Sequence, residues 1–236
     1  KQIDPNVAMT VLPVIPVGSG SFFQTFQVIE FGFMELVNRA FSKTGHPILC
    51  NGAQLCVKRT SWLESFIDIQ PEIPSGDDIF LLQAMINRRE LIDHVTNPDF
   101  GVRFKVCQRW GELMAQRIRW GSKAKSYTDQ RMVLIGWWVL LAQLSWLVVY
   151  YFGLIYYFDV IAWEHDNLII FSIIAGLYWL YKVLIGSEIR KGIAKAYSIR
   201  IPEKKALLFP VLFPFYFLLV AVLILFSSTK WKGRKI

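Results

Sequence analysis

The sequence predicts an α/β domain followed by an α-helical transmembrane region of about three spans. Composition is the first reason: 54% of the 236 residues are hydrophobic and 15% aromatic, with a mean hydropathy of +0.37. That is too apolar for an ordinary soluble domain. The second is that residues 1–131 mix short extended runs with helical stretches, enough chain for one modest core. The third is that residues 132–236 hold long apolar segments of spanning length.

Val7 to Val17 reads as extended chain, because β-branched residues dominate it. Pro13 and Pro16 put it at a sheet edge or a strand end. Gly18-Ser19-Gly20-Ser21 is a turn. It lacks the lysine of a P-loop and the glycine spacing of a dinucleotide fold, so it is not read as a phosphate cradle. Phe22 to Phe41 is an apolar helix interrupted by Glu30, Glu35, Asn38 and Arg39. It is too polar to span and suits a helix buried in the domain or lying on the bilayer. Gly45-His46-Pro47 ends it, with His46 as a turn residue.

Ile48 to Arg59 reads as two short extended pieces around a tight Asn51-Gly52 element, a common hairpin signal. Trp62 to Phe66 is a short helix and Pro71-Glu72-Ile73-Pro74 a rigid loop. Ser75-Gly76-Asp77-Asp78 opens a helix over Ile79 to Glu90. Gly101 to Cys107 alternates apolar and basic residues as a strand does, and His94 and Asp99 fall in the loop before it. Trp110 begins a further helix.

Three spans follow: Met132 to Phe158, Asn167 to Ile185 and Ala206 to Phe226. Pro210 and Pro214 predict a kink or break in the third. The first connecting loop carries Asp159, Glu164 and Asp166, and the second carries Arg190, Lys191, Lys195, Arg200, Lys204 and Lys205. The positive-inside rule then makes the second loop and residues 1–131 cytoplasmic, on a multi-pass protein of the cell's inner or plasma membrane. Gly186 to Ser198 reads as a basic interfacial helix, about 186–200. The basic tail conflicts with three full spans, which leaves open a re-entrant segment or an exception to the rule.

The net charge of +8 lies largely near the apolar segments. This favours anionic headgroups or a phosphorylated substrate over a nucleic-acid groove, and no basic stripe carries regular aromatic interleaving. Cys50, Cys56 and Cys107 make an odd count with no zinc spacing, as in buried thiols of a reducing compartment. Lys182 is the exceptional ionisable group within the spans, which argues against a transporter. The chain starts at Lys1 and reads from its first residues as mid-domain strand, so it is expected to be the C-terminal part of a longer protein.

Two stretches carry candidate chemistry. On a helix Gln116, Arg119 and Trp120 fall at i, i+3 and i+4 and share a face. A guanidinium there can fork pyrophosphate oxygens, and an indole offers a flat apolar wall with one donor. Arg117, Lys123 and Lys125 read as interfacial anchors, a reading that also remains open for the other three. Asp77 and Asp78 suit a helix start, where one carboxylate can cap while the other projects as a general base.

Asn51-Gly52-Ala53 before Lys58-Arg59, then Gly76-Asp77-Asp78 leading into Ile79-Phe80-Leu81-Leu82, then Gln116-Arg117-Ile118-Arg119-Trp120, then spans: this order resembles the membrane-integrated family 2 glycosyltransferases. That family includes cellulose, chitin and hyaluronan synthases. The resemblance covers roughly residues 7–131 and implies the C-terminal half of a GT-A domain on the cytoplasmic face. It implies inverting transfer from a nucleotide-sugar donor to a glycan or lipid acceptor. Asp78, paired with Asp77, would take the acceptor proton. Gln116, Arg117, Arg119 and Trp120 would border acceptor and donor diphosphate, and Asn51, Gly52 and Ala53 the acceptor sugar. A divalent metal, Mg or Mn, is expected for the family, but its D-x-D ligands are not in this sequence, so a missing N-terminal half or a partner chain would supply them. The sequence given is then expected to be inactive alone. The alternative is a noncatalytic membrane subunit that keeps part of the fold.

Overall fold

The computed structural model describes residues 4, 6–18, 20–69, 76–157, 165–226, 230–231 and 234–235. The Pro71–Pro74 loop, Ser75, Asp159 and Glu164 lie outside the described residues. The chain is mostly helical with a small mixed sheet.

The extended run at the start becomes two strands rather than one. β1 (Met9–Val11) is the middle strand of a three-stranded sheet, antiparallel to β3 (Leu55–Val57) and parallel to β4 (Ile92–His94). After Leu12-Pro13, β2 (Val14–Val17) pairs in parallel with β5 (Val102–Lys105). Proline is the reason for the split. Pro13 has no N–H to extend the first ladder, and its carbonyl accepts from the Val102 N–H at 3.0 Å, opening the second. The edge expectation therefore holds for β2, where Pro16 sits opposite Phe104, and is corrected for β1, which is central. His94 lies in β4, not in a loop. Three residues are too few to show alternation, and pairing with β1 makes the strand.

The hairpin expected around Asn51-Gly52 does not form. The Ile48 and Leu49 N–H groups donate to Asn38 Oδ1 at 3.2 and 2.9 Å, so the first piece is spent on the neighbouring helix instead of a partner strand. That helix, α1 (Phe22–Lys43), starts at Ser21, whose Oγ accepts from the Gln24 N–H at 3.2 Å. Short α2 (Arg59–Ser65), α3 (Asp77–Asn87) and α4 (Trp110–Ser122) complete the lobe.

Three helices are long and apolar enough to cross a membrane: α5 (Gln130–Tyr157), α6 (His165–Tyr197) and α8 (Phe209–Phe226). One-turn α7 (Glu203–Ala206) precedes α8. Large side chains such as Trp138, Leu177 and Leu225 point outward, as lipid-facing residues do. The third span is not broken at Pro210. The ring occupies the first turn of α8, where no N–H is needed, and the Pro210 carbonyl accepts from Trp146 Nε1 of α5 at 2.9 Å.

The separate interfacial helix is corrected. α6 continues unbroken through the basic segment to Tyr197, and Ile193 and Tyr197 are fully buried in the lobe with Ile15, Val28, Ile29 and Val106. Gly32 of α1 is what lets the helices meet. A Cβ there would sit 2.6 Å from Ile193 Cγ2. A second cluster packs Ala8, Met9 and Val11 of the sheet region on Leu82 and Met85 of α3. A third joins Phe26, Leu113 and Tyr216, one residue each from α1, α4 and α8. The lobe and the membrane helices thus share interior side chains.

Candidate active site

The corner before α3 is set by Gly76, whose φ of 96° is left-handed and favours glycine. A Cβ on it would meet Lys123 Cδ at 2.7 Å, so the lysine stem lies against this glycine. Neither aspartate caps the helix as expected. Gly76 holds the cap position, and Asp77 and Asp78 fill the first turn, where the helix dipole favours carboxylates.

Asp77 is exposed and Asp78 half-buried. Asp78 Oδ2 accepts from the Gly52 N–H at 2.8 Å, and Oδ1 accepts from the Ile79 N–H at 2.9 Å. Each carboxylate oxygen has one backbone donor and a lone pair to spare. Cys50 Sγ donates to the Asp78 carbonyl at 3.1 Å. Asn51 Oδ1 is turned back onto the Ala53 N–H at 3.0 Å, which shapes the bend that presents Gly52. The bend and the Gly-Asp-Asp corner, singled out separately in the sequence, are thus in direct contact.

Cations and neutral donors surround Asp78. Burial pulls Lys123 and Arg119 down from their ordinary pKa values, and the charge of Asp78 opposes that in both. Burial, then Asp78, then Cys50 push the Tyr127 phenol up to about 12. Burial first, then the nearby carboxylates led by Asp78, push the Cys50 thiol well up. Tyr127 and Cys50 are therefore neutral donors near a carboxylate. Gln83 of α3 fixes this arrangement, its Oε1 accepting from the Thr128 N–H and Oγ1, both at 3.1 Å.

The other motif residues divide. Arg119 belongs to the Asp78 group. Gln116 and Trp120, both half-buried, gather on Arg117: Nη1 donates to Gln116 Oε1 at 2.6 Å, and the guanidinium lies 4.4 Å from the Trp120 ring centroid. Among the described residues no hydrogen bond joins Gln116 or Trp120 to Asp78.

Arg117 itself is no interfacial anchor. It is 7% exposed and pairs with Glu30 of α1 through two hydrogen bonds, while the Tyr216 hydroxyl of α8 donates to the same carboxylate at 2.7 Å. With its donors committed to Glu30 and Gln116, it holds α4 in place instead of gripping a ligand. Glu30 is the reason: a buried carboxylate needs a matched partner. The anchor expectation is corrected for Lys123 too, which is 6% exposed. The Lys125 side chain lies outside the described residues.

Lys123, Tyr127 and Cys50 were not read from sequence as members of this group. Lys123 had a usable signal, since it falls at i+4 from Arg119 and continues its face of the chain. Tyr127 and Cys50 had none, because contacts between distant segments bring them in. The residues gathered here do not fit a divalent metal. Two cations already share the field of Asp78, and among the described residues no three His, Cys, Asp or Glu side chains converge.

The chain matches no protein-family model and no curated protein.

Proposed function

We propose that this chain takes part in inverting glycosyl transfer from a nucleotide-sugar to a polysaccharide or lipid-linked acceptor at the cytoplasmic membrane face, as a GT-A-type family 2 glycosyltransferase. One observation carries the reading: the Asp78 carboxylate, aimed by the Gly52 and Ile79 N–H groups, lies within electrostatic reach of Arg119 and of Lys123, whose stem packs on Gly76. Transfer needs a base for the acceptor hydroxyl and positive charge for the departing diphosphate, and this group holds both kinds of residue.

In this mechanism the acceptor oxygen attacks the anomeric carbon in line while the bond to the diphosphate breaks. The acceptor hydroxyl proton passes to Asp78, whose orientation the two N–H donors fix. Arg119 and Lys123 offset charge on the leaving group. Tyr127 and Cys50 both stay protonated near Asp78, Cys50 donating to its backbone carbonyl, so neither is a competing base. Trp120 supplies an apolar wall for a sugar ring.

The test is a donor screen. Membranes carrying the full gene product are incubated with separate nucleotide-sugars, and products are analysed by mass. A sugar-transfer product that Asp78→Asn abolishes supports the reading. No product from any donor favours a noncatalytic membrane subunit.

A further inference from the structure

A cavity lies away from Asp78, where the chain leaving α6 crosses the start of α1. It measures about 270 Å³ and is lined by Gly18, Gly20, Thr25, Arg103, Ser198 and Arg200, with an apolar wall of proline and aliphatic side chains. Among the described residues no acidic side chain lines it. The volume is below that of a drug-sized pocket and suits one phosphate group with its attached ester or waters.

Two features point to an anion. Arg103 from β5 and Arg200 from the segment after α6 both reach the cavity, and among the described residues neither forms an ion pair. Both arginines, though exposed, line one cavity although the chain separates them widely, and like charges near one another repel unless something of opposite sign joins them. Finally, Gly20 has φ of 81° and nothing within 4 Å of its missing side chain, which leaves backbone open to an incoming group. Lys205 Nζ donates to the Gly20 carbonyl and adds a further positive charge beside the loop.

We propose that this cavity binds a phosphate group, held by Arg103 and Arg200 in charge-assisted hydrogen bonds. The site is independent of the transfer reading and of Asp78. Its phosphate has two possible sources. The cavity is built by the connection between the second and third spanning helices, so an anionic phospholipid headgroup can reach it. A soluble phosphate or diphosphate is the other source.

The test uses the full chain in phosphatidylcholine nanodiscs and in nanodiscs containing phosphatidylglycerol. Inorganic phosphate and pyrophosphate are titrated calorimetrically into the first, and retained phosphatidylglycerol is counted by native mass spectrometry in the second. Binding in the first arm identifies a soluble ligand, and retention in the second a headgroup. In either case Arg103→Gln with Arg200→Gln should weaken binding at least tenfold. Lys43→Gln with Arg59→Gln, which removes two exposed charges elsewhere, should leave it unchanged. Circular dichroism and elution volume confirm that the variants are folded. The proposal is overturned if neither arm shows binding, or if the two charge-matched pairs of substitutions act alike.

Discussion

Arg117 and Glu30 meet inside the lobe through two parallel hydrogen bonds, Nε to Oε1 at 2.9 Å and Nη2 to Oε2 at 2.7 Å. Tyr216 completes the group from the third span. Removing one partner leaves an uncompensated buried charge, which typically costs about 3–5 kcal/mol. Arg117→Ala should therefore lower thermal stability in neutral detergent sharply. Glu30→Gln with Arg117→Met should recover much of the loss, because it removes both charges. If the single and double variants melt together, the pair is not what holds α4 to α1.

The Asp78 assignment predicts a clean separation of activity from folding. Asp78→Asn should reduce transfer by about two to four orders of magnitude, the usual contribution of a positioned base. The variant should still fold but lose about 1–3 kcal/mol, since its one amide oxygen can accept from Gly52 or from Ile79 but not from both. Product formation by mass analysis, alongside a melting curve, checks both halves. Near wild-type turnover would remove Asp78 from the role.

The crossing of α1 and α6 predicts a steric cost. Gly32→Ala puts a methyl group 2.6 Å from a fully buried Ile193 that has no room to retreat. Overpacking of this kind costs about 1–3 kcal/mol. Chemical denaturation in detergent should show the loss, and Ile193→Val in the same chain should relieve part of it. An unchanged midpoint would mean that the helices are free to separate.

Two buried groups give opposed pH dependences. Burial raises the Glu35 carboxyl from 4.5 to about 7, against the pull of Arg39. The folded state then holds a proton that the unfolded state has lost, so this group's contribution falls as pH rises from 4.5 to about 7. Burial, with Arg39, lowers His94 from 6.5 to about 4, against Asp93 and a backbone hydrogen bond. There the unfolded state takes the proton first, so stability rises with pH from about 4 to 6.5. The two slopes offset each other in the parent protein. Glu35→Gln should expose the rising slope and His94→Gln the falling one, read from melting temperature against pH. Two variants with slopes of the same sign would contradict the assignment.

What was legible in the sequence was what local pattern can encode. Hydropathy located the three spans, and the helix carrying Gln116 to Trp120 followed from its spacing. Gly52 and Asp78 were both singled out, though nothing local says that they touch. Arg117 was misread because its determinant, Glu30, lies far away in the chain. Flanking a span, it had the look of an anchor. The end of the second span was misplaced for a related reason. Basic residues mark a membrane boundary, but they do not end a helix whose opposite side finds apolar partners such as Ile15 and Val28. β4 escaped notice because a three-residue strand has no periodicity of its own.

The course of α6 bears on how this protein can be divided. Ile193 and Tyr197 reach the lobe only as the far end of a spanning helix, and Tyr216 arrives on another. Ending the chain at Arg131 would pull these plugs out and leave Ile15, Val28, Ile29 and Phe26 facing water. The lobe is finished by its own anchor, so what looks like a detachable head on a stalk has to be handled as one piece with the bilayer.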